Sequence, residues 1–163
     1  ALLLAQGKIV AVKGLGGVHL AVDATSQEAV ERLRIRKGRE GKPLAVMVLN
    51  LEEAQRIARV TPQEAHLLAS PQRPIVLLPT APGSSLAPSV APELDTVGVM
   101  LPYTPLHHLL LEEAGRPLVM TSANATDEPM VRRNEEARGK LAGVADAFLL
   151  HDREIVNLSL IHI

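Results

Sequence analysis

The sequence predicts an α/β layered domain with a largely buried sheet, and three observations predict it. Short β-branched apolar runs alternate with helical segments along the chain, the order expected of strands and helices packed in layers. Pro43 to Leu49 is a continuous apolar run, the pattern of a central strand covered on both faces. The 163 residues, 47% hydrophobic and 21% charged, suit one ordinary core.

Lys8 to Val12 reads as a buried strand ending at the Lys13-Gly-Leu-Gly-Gly17 loop, and Leu20 to Val22 as a second short strand. Ser26 is a good N-cap for a helix from Gln27 to about Lys37, with Ala29, Val30 and Leu33 on its apolar face and Gly38 ending it. Helices are expected over Leu51 to Ala58 and Thr61 to Ala69, the second opening with an N-cap threonine and a proline at its first position. Ile75 to Leu78 is a strand between prolines. The Pro-, Ser-, Ala- and Gly-rich stretch from Pro79 to Pro92 is expected to be a mobile loop. Gly98 to Leu101 returns to strand, Pro105 to Ala114 is helical, and Pro117 to Met120 is a strand that delivers Thr121 and Ser122. A helix near Asn134 to Leu141 and a strand from Ala147 to Leu150 follow.

The two ends read differently from the rest. Ala1-Leu-Leu-Leu-Ala5, without an initiator Met, is expected to be the last turns of a helix whose start is missing; no basic leader accompanies it, so it is not a signal peptide. Leu158-Ser-Leu-Ile-His-Ile163 matches a translation of the transposase sequencing adapter CTGTCTCTTATACACATC and is expected not to be native. The domain is therefore taken as residues 1–157.

Composition excludes several functions. No apolar run reaches the roughly 20 residues of a membrane-spanning helix. Without cysteine there is no disulfide, thiolate metal site or cysteine nucleophile. One Phe, one Tyr and no Trp argue against recognition of single-stranded nucleic acid by stacking. The formal net charge of −1 gives no global pull toward polyanions, so an anion site must come from local clustering.

Such a cluster is present. Arg34-Ile-Arg-Lys37-Gly-Arg39-Glu-Gly-Lys42-Pro43 crowds cations around a glycine where a helix runs out, and about eighty residues later Thr121-Ser122-Ala-Asn124 offers two hydroxyls and an amide at a strand end. Together they suit a nucleoside triphosphate, although neither is a Walker loop. Each also has a plain reading. Basic residues at a helix C-terminus are stabilised by the macrodipole, and Ser and Asn are common turn formers. The Gly14-Leu-Gly16-Gly17 loop lacks the spacing of a dinucleotide fingerprint and reads first as a tight turn. Adjacent His107 and His108 point in different directions on a helix and do not suit one metal, and no metal site is expected. His151-Asp152 serves proton transfer or a turn equally well.

Five segments carry a family resemblance. Lys13-Gly-Leu-Gly-Gly-Val-His-Leu-Ala-Val-Asp23, the run from Arg36 to Pro43, Gly98-Val-Met-Leu-Pro-Tyr-Thr-Pro-Leu-His-His108, Thr121-Ser-Ala-Asn124 with Asp127-Glu-Pro129, and His151-Asp-Arg153 closely resemble the YrdC-like domain of the HypF carbamoyltransferases. The resemblance covers nearly the whole chain to Asn157. It implies a YrdC-like open twisted sheet with helices around a basic concave nucleotide site, and a K-x-R plus S-x-N signature for ATP that falls on Lys37, Arg39, Ser122 and Asn124. Lys42, Thr121, Gly16 and Gly17 join this binding set, while Lys13 and His19 are expected near a small carbamate. The implied reaction is formation of carbamoyl-adenylate and pyrophosphate from carbamate and MgATP, a step in maturation of nickel-iron hydrogenases in the cytoplasm. The implied partners are carbamoyl phosphate, HypE, and acylphosphatase, zinc-finger and TsaD-like domains outside this chain.

Two alternatives stand beside it. The related threonylcarbamoyl-adenylate synthases of tRNA modification carry a threonine-handling P-T-D/E-T-x-Y-G-L sequence where this chain has Val12-Lys-Gly-Leu-Gly-Gly17, which favours the HypF branch. A double-stranded RNA-binding module is the non-enzymatic alternative, and the modest net charge argues against strong binding.

Overall fold

The computed structural model describes residues 1–39, 41–124 and 130–155. Asp127, Glu128 and Pro129 of the resemblance, and the proposed adapter segment 158–163, lie outside the described residues. The described residues fold as six α-helices and seven strands in one mixed sheet. The helices are α1 (Leu2–Ala5), α2 (Gln27–Lys37), α3 (Leu51–Ile57), α4 (Pro62–Ala69), α5 (Pro105–Ala114) and α6 (Asn134–Lys140). The strands are β1 (Val10–Lys13), β2 (Val18–Asp23), β3 (Ala45–Met47), β4 (Val76–Pro79), β5 (Thr96–Met100), β6 (Leu118–Ser122) and β7 (Ala147–Leu149).

The sheet order is β4-β5-β3-β6-β2-β1-β7. Strands β1 and β2 form an antiparallel hairpin, with Lys13 opposite Val18 and a Gly14 N–H to Gly17 carbonyl bond of 2.8 Å closing the turn. Strand β7 adds parallel to β1, β6 lies antiparallel between β2 and β3, and β5 runs parallel to β3. The apolar run from Pro43 thus supplies β3, an interior strand paired on both sides, as its pattern predicts.

Alternation along the strands sends side chains to two cores. Ala11, Val18, Leu20, Val22 and Val46 join the larger one with Ala29, Val30 and Leu33 of α2, Ala54 and Ile57 of α3, and Leu68 of α4. Val10, Val12, Ala21, Met47, Met100, Leu118 and Met120 face the smaller one, which among the described residues α1 and α5 supply with helical cover through Leu4, Leu110 and Leu111. Burying a leucine such as Leu33 contributes about 2–3 kcal/mol, so the thicker layer carries more of the stability. The thinner layer leaves part of the sheet uncovered.

The helix ends follow the sequence signals. Ser26 Oγ accepts the Ala29 N–H, and Gly38 closes α2 in the left-handed region at φ 62°. A capping box joins Thr61 and Glu64, followed by Pro62 in the first turn of α4. The expected mobile loop is instead a packed segment. Ala87 and Val90 are buried, the Ala87 N–H donates to Ala24 O, and the Leu44 N–H donates to Val90 O. Gln27 and Arg34 of α2 also bond Ser89. Its proline-rich composition signalled irregular backbone, which tertiary bonds then fixed in place.

Candidate functional site

The basic run after α2 divides its labour. Arg34 Nε donates to Ser89 O at 2.6 Å and its Nη1 to Arg39 O at 3.0 Å, so this guanidinium shapes the loop instead of facing a ligand. Arg36 pairs with Asp146 at 2.7 Å, tying α2 to the segment before β7. Lys37 Nζ donates to Ser122 O at 2.6 Å, Asn124 O at 2.9 Å and Asn124 Oδ1 at 3.2 Å. The Ser122 hydroxyl donates to the same Asn124 Oδ1 at 2.7 Å. One ammonium thereby clamps the two motifs together across 85 and 87 residues of chain. Burial and the neighbouring Arg39 push the Lys37 pKa down to about 8.

Arg39 is the member of the run that lines a cleft. The cavity is about 510 Å³, and Ala45, Gly98, Met100 and Met120 contribute to it from the three adjacent strands β3, β5 and β6. It lies over the thinly covered face of the sheet. Thr121 and Ser122 line it from the end of β6, with Leu15, Gly16 and His19 from the hairpin. Gln72, Arg73 and Tyr103 complete its polar lining, and among the described residues no carboxylate lines it. Arg39 Nη2 donates to Pro43 O at 3.1 Å, while its buried Nε has no partner among the described residues. Burial holds the Arg39 pKa below the usual guanidinium value.

Strand register carries His19 to the cleft, opposite Ser122 on β6. His19 stands edge-on to His107 at 6.3 Å between ring centroids, and His107 edge-on to Tyr103 at 4.5 Å. Burial pushes both imidazoles down to about 4, His107 further opposed by His19 and His108. They are neutral at physiological pH. His19 Nδ1 and both ring nitrogens of His107 are buried without a hydrogen-bond partner among the described residues. His108 is exposed, so the two adjacent histidines do occupy different surroundings.

Other expected site residues lie elsewhere. Lys13, 3% exposed, donates through Nζ to Asn134 Oδ1 at 2.9 Å and His151 O at 3.0 Å, joining β1 to α6 and the segment after β7. It does not line the cleft. Gly17 packs against Met130 so closely that a Cβ there would sit 2.3 Å from the Met130 methyl. Lys42 is exposed and outside the lining. Among the described residues no group of three or more His, Cys, Asp or Glu side chains is placed to hold a metal. None of the helices there is long and apolar enough to cross a membrane. Sequence reasoning missed Arg73 and gave Tyr103 no role. The only signal for Arg73 was a basic residue between Pro71 and Pro74.

Comparison with known proteins agrees with the fold. The family model for Sua5, YciO and YrdC, described as telomere recombination, matches residues 2–159. Carbamoyltransferase HypF2 of Cupriavidus necator is 54% identical over 94% of this chain and 21% of its own length. The crystal structure of full-length HypF in the phosphate- and nucleotide-bound form superposes with a TM-score of 0.91 at 55% identity, over 94% of this chain and 24% of that one. Threonylcarbamoyl-AMP synthase of Bacillus subtilis is 29% identical over 90% of this chain and 44% of its length. The chain thus spans about a fifth of the length of the curated HypF relatives it matches. It belongs to the Sua5/YciO/YrdC family, and its sequence matches the YrdC-like region of the HypF carbamoyltransferases.

Proposed function

We propose that the cleft binds MgATP and forms carbamoyl-adenylate. A carbamate oxygen attacks the α-phosphorus, a new P–O bond forms, and the bond from that phosphorus to the α,β-bridging oxygen breaks. Its electron pair leaves with pyrophosphate. The observation that carries this reading is the Lys37 clamp, which joins the K-x-R and S-x-N segments beside an apolar-floored cleft into which Arg39 projects.

The chemistry requires stabilisation of growing phosphate charge more than it requires a nucleophile from the protein. Arg39 supplies fixed positive charge, and Lys37 adds an ammonium at the junction of the two segments. Thr121, Ser122 and Asn124 orient phosphate or ribose oxygens, and the magnesium arrives with the nucleotide. Gly16 and Gly17 shape the hairpin turn at the cleft. The neutral His19 imidazole is suited to an uncharged amide edge, so we place the carbamate near it. Lys13 acts from behind, holding the end of β1 on which the turn is built. Lys42, exposed beside the loop, contributes long-range attraction for the anion.

In the longer protein this step would draw carbamate from carbamoyl phosphate through an acylphosphatase domain. It would pass the carbamoyl group through a TsaD-like domain to HypE in the cytoplasm, with a zinc-finger domain in the same chain. Identities of 44–54% to HypF proteins, against 29% and 32% to threonylcarbamoyl-AMP synthases, support the carbamoyl over the threonylcarbamoyl reading. The test is ATP–pyrophosphate exchange on the chain. Exchange dependent on carbamoyl phosphate plus an acylphosphatase is the expected result. Exchange dependent on L-threonine and bicarbonate would move the protein to the other branch.

A further inference from the structure

We propose that Arg73 is a second anion-binding arm of the cleft, gripping the phosphate chain from the loop before β4 while Arg39 holds it from the loop after α2. The inference rests on the nucleotide reading above and extends its binding set to a residue outside both motifs.

Three observations carry it. Among the described residues the cleft is lined by two guanidiniums and no carboxylate, a lining whose charge suits an anion. The Arg73 guanidinium has no hydrogen bond or ion pair among the described residues, although the residue is half-buried. By contrast, Arg34 and Arg36, which flank the approach to Arg39 in sequence, are anchored by side-chain bonds. Finally, Arg73 adopts φ 46°, a left-handed conformation that glycine or asparagine takes more readily.

The strained backbone is held firmly. The Arg73 N–H donates to Ser70 O at 3.0 Å, and prolines stand at positions 71 and 74. An arginine where the backbone favours glycine works against local stability, and backbone strain of this kind gathers at ligand-binding positions. A guanidinium on a fixed loop presents its planar donors to phosphate oxygens with little loss of freedom on binding.

The strain also separates binding from folding. Arg73→Asn removes the guanidinium while suiting the left-handed backbone, so its melting temperature should equal or exceed that of the unsubstituted chain. Titration calorimetry of the 163-residue chain with ATP and with inorganic triphosphate should show both affinities reduced about tenfold or more, the range for losing a charged hydrogen bond. Arg73→Lys should recover part of that loss. Unchanged ATP affinity in a well-folded Arg73→Asn variant overturns the Arg73 assignment and leaves the nucleotide reading standing. Triphosphate binding that depends on Arg73, without ATP binding, overturns the nucleotide reading and keeps the anion site. Failure of the unsubstituted chain to bind either ligand overturns both.

Discussion

Replacing Lys37 by methionine tests the clamp that organises the site. The side chain keeps its length and apolar stem but loses the ammonium that three oxygens share, at 2.6, 2.9 and 3.2 Å. A hydrogen bond to a charged donor contributes about 1.5–3 kcal/mol, and an acceptor left buried without a partner costs about 1–3 kcal/mol. Lys37, Ser122 and Asn124 are only half-buried, so water replaces part of what is lost. A net destabilisation of about 2 kcal/mol follows, far below the sum of three separate bonds. For a domain of this size that is roughly 4–8 °C in melting temperature. The Ser122 to Asn124 segment should also lose amide exchange protection relative to the rest of β6. ATP affinity should fall by about tenfold or more, since both a charge and the shape of the segment are lost. The assays are denaturant unfolding, amide hydrogen exchange and titration calorimetry on the same samples. A Lys37→Met chain that unfolds and binds ATP like the unsubstituted chain would refute the clamp.

Two further predictions follow from the same contacts. ATP affinity should be flat below pH 8 and decline as pH rises through about 8. Lys37 has its proton below that value and loses it above, through burial and the nearby Arg39; the break should vanish in Lys37→Met when the titration is repeated across pH 7–10 in steps of about half a unit. Gly17→Ala should destabilise the chain by about 1–2 kcal/mol, because its Cβ would lie 2.3 to 2.9 Å from three atoms of Met130. Met130→Ala in the same chain should relieve part of that cost, and strict additivity in the denaturant double-mutant cycle would contradict the packing.

The sequence by itself determined the elements and most of the chemistry on offer. Ser26, Thr61 and Gly38 mark helix ends through bonds to residues three or four positions away, and such local signals survive without knowledge of the fold. The apolar run from Pro43 marked an interior strand because burial on both faces removes alternation. The K-x-R and S-x-N residues were legible as types, and the family resemblance paired them. Their partners were not legible. Arg34 and Arg36 look like neighbours of Lys37 in sequence, yet tertiary contacts spend the first on Ser89 and the second on Asp146. Lys13 sits beside a glycine turn, but its strand register delivers the ammonium to Asn134 and His151 instead of the cleft. Arg73 carried almost no signal, because a lone arginine between prolines acquires meaning only when the sheet order brings its loop to the same cleft as Arg39. Propensity and patterning act over a few residues. Which cations remain available for an anion is decided by acceptors 55 to 138 residues away, and only the folded chain brings those within hydrogen-bond reach.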